Sequence, residues 1–335
     1  MVRMRRGPIN SVPVQKISYA RRGSSYNLAL MNQTLSRRSA LRRITGGTAA
    51  LAAVTTLSHR LQAAEDAARP KLKGNIHHSA CAWCYGSLFN AGNGKPAKMT
   101  LEDFFRECYN LGLESVELLG AGDWPKVRKA GLICAMCNGP DSISYGWNRV
   151  EHHDDLLPKF EKAIPEVAEF GFPNIITFSG NRNGMSDEQG MENCVKGLKR
   201  LAPIAEKHKV TVCMELLNSK RSHKDYMCDY TAWGVEVIKR VGSERVKLPF
   251  DIFHMQIMEG DLIDTIRENR EYIAHFHTGG VPGRNEIDDT QEIYYPAVMR
   301  AIVATGYKGF VSQEFVPKGP DALASLKRCV MICDV

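Results

Sequence analysis

The chain has 335 residues, enough for one large barrel domain or two ordinary ones, and its formal net charge is +7. That basic balance belongs to the leader: residues 1–64 hold eleven Lys or Arg and no Asp or Glu, so the remainder carries 33 basic against 37 acidic residues, a net charge of −4. An acidic main domain gives no case for nucleic-acid binding.

Within the leader, Ser36-Arg37-Arg38-Ser39-Ala40-Leu41-Arg42 has the pattern of a twin-arginine export signal, with Ala40 where a bulky apolar residue is usual. Residues 44–57 follow as an Ala/Gly/Thr-rich stretch, too short and too mildly apolar to span a bilayer stably. Ala63 and Ala64 supply small residues for cleavage before Glu65-Asp66. This order predicts that residues 1–70 are signal and linker and that the mature protein works in the periplasm or another extracytoplasmic space. A leader that does not function would leave it in the cytoplasm. Met31 would give a signal of conventional length, with residues 1–30 as upstream sequence.

From residue 71 onward, strand-like and helix-like stretches alternate in a single predicted domain, 71–335. A strand over 76–80 is followed by a Gly/Asn/Pro loop over 86–98. Thr100 is the expected N-cap of a helix over 101–111, with Asp103 in its first turn. Strands then fall at 115–119, 132–137 and 174–178, with helices at 123–130 and 154–170. A long helix over 187–208 leads into a strand at 210–214. The remaining strands are 246–250, 272–276 and 310–313, and the remaining helices 231–240, 261–268, 294–305 and 320–332. Eight strands and about eight helices in strict alternation predict an α/β fold, a (β/α)8 TIM barrel. An open doubly wound sheet competes, but no glycine-rich phosphate loop follows the first strand.

Ten cysteines lie beyond the leader. Cys81-Ala82-Trp83-Cys84 and Cys134-Ala135-Met136-Cys137 suggest a zinc ribbon, but the 49 residues between the pairs and their place on or just after strands argue against one. Buried free thiols are the expectation.

Four strands each end in a residue able to bind a metal: Glu215, Asp251, His277 and Glu314, separated by 36, 26 and 37 positions. Such spacing matches one strand-helix repeat, and in a parallel barrel all strand C-termini share one face. Two glutamates, an aspartate and a histidine suit one divalent ion, Mn, Mg, Co or Zn, that prefers oxygen with one imidazole. Singly, an acid at a strand end more often caps the next helix; four in succession read as one site. Residues two apart share a strand face, so Cys213 fills the layer beneath Glu215, and His275 supports His277 from below. A metal between Glu215 and Glu314 would acidify a C–H beside a carbonyl, with one carboxylate removing the proton and the other delivering it. His254, three residues past Asp251, and Arg284, in the glycine-rich loop after His277, are candidates for holding substrate oxygens.

The segments Met214-Glu215-Leu216-Leu217-Asn218, Asp251-Ile252-Phe253-His254-Met255-Gln256, His275-Phe276-His277-Thr278, Val281-Pro282-Gly283-Arg284-Asn285-Glu286 and Gln313-Glu314-Phe315 together resemble the xylose-isomerase-like barrel superfamily, within it the hydroxypyruvate isomerase group. The resemblance spans roughly 74–333. It implies metal ligation by Glu215, Asp251, His277 and Glu314, an acid-base pair in Glu215 and Glu314, and substrate contacts at His254 and Arg284. It implies a small hydroxy-carbonyl or sugar substrate, hydroxypyruvate converted to tartronate semialdehyde. Hydroxypyruvate isomerases commonly carry Gln where this chain has His277, and ketose 3-epimerases of the superfamily carry His, so both reactions stay open. Related apurinic endonucleases add histidines on strands three and four, whereas those strand ends here read Asn138-Gly139 and Ser179-Gly180. A non-catalytic carbohydrate-binding barrel is the reading from another class. Related barrels often form homo-oligomers, and the sequence leaves the oligomeric state open.

Overall fold

The computed structural model describes residues 69–89 and 96–335. The export signal, its cleavage site and Met31 lie outside the described residues. All described residues fall in one compact unit, Leu61–Val335. Its centre is a parallel sheet of seven strands: β1 His77–Cys81, β2 Ser115–Glu117, β3 Asn174–Thr177, β4 Thr211–Met214, β5 Val246–Asp251, β6 Ile273–Thr278 and β7 Phe310–Gln313. The spatial order is β2-β1-β7-β6-β5-β4-β3.

The remaining gap, between β2 and β3, is closed by residues 133–137. Ile133 pairs with Ser115 on one side, and Cys137 pairs with Leu119 and with Ile175 on the other, all parallel. The third strand predicted over 132–137 is therefore reduced to isolated bridges. The cause lies at Ala135: the Ser115 hydroxyl accepts its amide at 2.9 Å and the Asn174 side chain donates to its carbonyl at 2.8 Å. Neighbouring side chains stand in for the backbone ladder, so the ring closes without a continuous eighth strand. The architecture is the expected (β/α)8 barrel.

Every residue of β2, β3 and β4 is buried, as strands covered on both faces require. Helices Val150–Glu169, Asp187–His208 and Thr231–Val241 pack in succession outside β3 to β5. Local chemistry sets their starts: Thr100 and Asp103 form the reciprocal capping box of the helix Leu101–Asn110, and Ser186 caps Asp187–His208. The helix expected from 154 begins four residues earlier, at Val150. A short helix, Ile252–Met258, starts directly at the end of β5, where a loop was expected. Its N-cap is Asp251, whose Oδ1 accepts the His254 amide at 3.0 Å.

Strand register then places the functional side chains. Asp251 pairs with His277 across β5 and β6, and His277 with Ser312 across β6 and β7. Cys81 pairs with Glu117 across β1 and β2. Cys213 is fully buried in a small apolar cluster with Met136 and Ile176, and burial pushes its thiol well above the ordinary range. It fills space there.

Candidate metal and acid-base site

Glu215, Asp251, His277 and Glu314 meet at the C-terminal end of the barrel, and all four are buried. Ligand atoms of Glu215, Asp251 and His277 lie within 4.8 Å of one another. Glu314 Oε2 is 2.9 Å from His277 Nδ1, and Glu215 Oε1 is 3.5 Å from the same nitrogen. Both oxygens of Glu215, His277 Nδ1 and Glu314 Oε2 are buried without a hydrogen bond among the described residues. Burying such atoms unpaired is costly, so their convergence fits a cation that they would share. The donor set of three carboxylates and one imidazole agrees with that fit.

The two glutamates sit in opposite electrostatic surroundings. Burial pushes Glu215 up to about 7, because no cationic side chain compensates it as fully as Arg284 compensates Glu314. Burial also acts on Glu314, yet Arg284, at 2.5 Å, and His277 hold it well below the usual carboxylate range. Asp251 is raised by burial to about 6 despite an Arg284 contact of 2.8 Å. For His277, burial opposes the charge, but Glu314 and Glu215 hold its pKa well above the ordinary histidine value.

Glu117, at the end of β2, escaped the sequence reading. Fully buried, its Oε1 lies 2.8 Å from His275 Nε2 and 3.0 Å from His277 Nε2, while Oε2 accepts from the Ser79 hydroxyl at 2.7 Å. A carboxylate that takes the Nε2 proton of His277 turns Nδ1 toward the other ligands. Burial would raise Glu117, but His275 and His277 bring it down to about 2. The only signal in the sequence was the alternation Ser115-Val116-Glu117, which puts Ser115 and Glu117 on one strand face. His275 occupies the supporting position expected beneath His277.

His254 and Arg284 lie beside Asp251. The backbone amide of Asn218 donates to His254 Nδ1 at 3.0 Å, which leaves the ring proton on Nε2. That nitrogen faces Arg284 Nη1 at 2.7 Å, one donor against another. An oxygen placed between them would accept from both. Arg284 is also an ion-pair partner of Asp251 and Glu314, a role beyond the predicted substrate contact. Above it, Trp83 donates its indole N–H to Glu314 Oε1 at 3.0 Å and offers its ring face to the guanidinium 5.5 Å away. Trp83 and Asn218 were also missed; a tryptophan inside a cysteine motif and a strand-end asparagine carry no distinctive spacing.

All ten cysteines are buried free thiols. Among the described residues the ligand clusters include Cys81, with His277 and Glu314, but none joins the two Cys-x-x-Cys pairs. No described helix is long and apolar enough to cross a membrane.

A putative hydroxypyruvate isomerase of Homo sapiens is 26% identical over 252 residues, covering 69% of this chain and 87% of that protein. A D-psicose 3-epimerase of Ruminiclostridium cellulolyticum is 32% identical over 147 residues, covering 42% of this chain and 47% of the other. Among solved structures, an AP endonuclease of family 2 from Brucella melitensis superposes with a TM-score of 0.63 at 21% identity, over 75% of this chain and 96% of its own. That likeness shows the fold alone. Residues 105–329 match the family described as the xylose isomerase-like TIM barrel, and the chain belongs to that family.

Proposed function

We infer that the chain is an isomerase-type enzyme that moves a proton between adjacent carbons of a hydroxy-carbonyl compound. The reaction proposed is the interconversion of hydroxypyruvate and tartronate semialdehyde, or the same transfer on another small hydroxy-carbonyl compound. The observation that carries this reading is the unequal pair of buried glutamates, one pushed up to about 7 and one held low, on either side of His277. Two carboxyl groups with separated pKa values are what a base and an acid working in one turnover need.

Glu314, ionised beside Arg284, takes the proton from the carbon next to the carbonyl. Glu215, which titrates near neutrality, returns a proton to the neighbouring carbon of the resulting enediolate. His254 and Arg284 hold a substrate oxygen between their facing N–H groups, which fixes the carbon chain against the glutamates. Trp83 covers Glu314 and keeps water from that side. Glu215, Asp251, His277 and Glu314 would hold a divalent ion, Mn, Mg, Co or Zn, which when bound supplies Lewis-acid polarisation of the carbonyl.

A ketose 3-epimerase is the second reading, favoured by the D-psicose 3-epimerase relative. It uses the same two carboxyl groups on opposite faces of one carbon. Solvent deuterium exchange separates these readings from a non-catalytic sugar-binding barrel. With added metal, label should enter C3 of hydroxypyruvate or C3 of a ketose; no label in any candidate sugar would defeat the enzyme readings. Export by the twin-arginine route is part of the proposal, and the mature protein in its native host should begin near Glu65. A start at Met1 or Met31 would place it in the cytoplasm instead.

A further inference from the structure

Glu215 and Glu314 open into a cavity of about 1450 Å³, beyond the roughly 300–1,000 Å³ that encloses a drug-sized ligand and far beyond what a three-carbon acid fills. It does not end at the reacting groups. A second hollow of about 530 Å³ continues from it, and Ile143, Phe178, Ser222 and His223 line both. The far end is bordered by Ser144, Asn181 and Lys224, whose side chains have no protein hydrogen-bond partner among the described residues. Ile143 and Phe178 thus give an apolar floor, and a hydroxyl, a carboxamide and an ammonium give a polar edge with both donors and acceptors. A pyranose ring presents the complement, C–H faces and a hydroxyl perimeter.

The β4 loop ties this far end to the chemistry. Asn218 Oδ1 accepts the amides of Arg221 and Ser222, at 3.0 and 2.9 Å, while the Asn218 amide binds His254. His223, on the same loop, sits with its ring 5.3 Å from that of His254. The second hollow is thereby held in fixed relation to the reacting end.

We propose that this second hollow is a saccharide subsite, and that the natural substrate carries a further glycosyl unit on its hydroxy-carbonyl end. The assignment of the reacting end rests on the isomerase reading above. Titration calorimetry on the full chain with added manganese, using sorbitol and its glucosylated form maltitol, tests the subsite without turnover because neither polyol has a carbonyl. Maltitol should bind at least roughly tenfold more tightly than sorbitol. Ser144→Trp, which fills the hollow, should bring that ratio to about one, and Asn181→Ala should lower it severalfold. Equal affinity for the two polyols in the unaltered protein, or a ratio unchanged in both variants, overturns the subsite. Lack of deuterium exchange with every candidate sugar would instead defeat the isomerase reading and leave the maltitol ratio standing.

Discussion

Glu117 Oε1 lies 3.0 Å from His277 Nε2 and 2.8 Å from His275 Nε2, so one buried carboxylate orients two histidines of β6. It touches neither Glu215 nor Glu314. Its influence on the site passes entirely through the His277 ring.

Glu117→Gln should therefore weaken metal binding by about 10- to 100-fold, the usual cost of losing a partner behind a ligating histidine. Competition against a chelator reads this directly, and circular dichroism checks that the barrel persists. Unchanged metal affinity in a folded variant would remove Glu117 from the site.

Glu215→Gln and Glu314→Gln should each lower turnover by at least roughly 10²- to 10⁴-fold, the range supplied by positioned acid-base groups. The fold should survive both changes, since these carboxylates are held in the site with unsatisfied oxygens and not in a structural network. Full activity in either variant contradicts the two-carboxylate mechanism.

Metal affinity should climb with pH. Burial raises Glu215 to about 7 and Asp251 to about 6 in the metal-free protein, and both must lose protons to ligate. Below those values protons compete with the ion, so affinity falls as pH drops from about 7.5 to 5.5 and levels off above. Affinity independent of pH across that window would mean that these carboxyl groups are already ionised.

His78 should make the fold sensitive to mild acid. Both its ring nitrogens are buried without a hydrogen bond, and burial lowers its pKa to about 4, with Asp334 acting in the opposite sense. A histidine depressed in the folded state takes up its proton first in the unfolded chain. Its contribution is present above about 6.5 and is lost as pH falls toward about 4, by about 3 kcal/mol in all. Urea midpoints between pH 7 and pH 5 should show the decline, and His78→Met should flatten it. An equally steep decline in the variant would assign the acid sensitivity elsewhere.

Much of the barrel was legible because parallel strands buried on both faces read as apolar runs, and helices between them carry their own caps. The boundaries that shifted did so where side chains compete with backbone. Ala135 lost its ladder partners to Ser115 and Asn174. Asp251 began a helix at once by accepting the His254 amide. The bland reading of a strand-end acid as a cap was thus correct for one oxygen of Asp251, while the other faces Arg284.

Sequence by itself determined the repeat of strand and helix and the strand-end positions of Glu215, Asp251, His277 and Glu314, because a fixed spacing in a parallel barrel brings those positions to one face. Only the tertiary structure decided what each side chain meets. Glu117 reaches His277 from 160 positions away, and Arg284 reaches Glu314 and Asp251 through a loop. Such contacts depend on strand register and ring closure, and they set which carboxyl group stays charged. Spacing can place two glutamates in one site; it cannot say that a guanidinium will neutralise one and leave the other to burial.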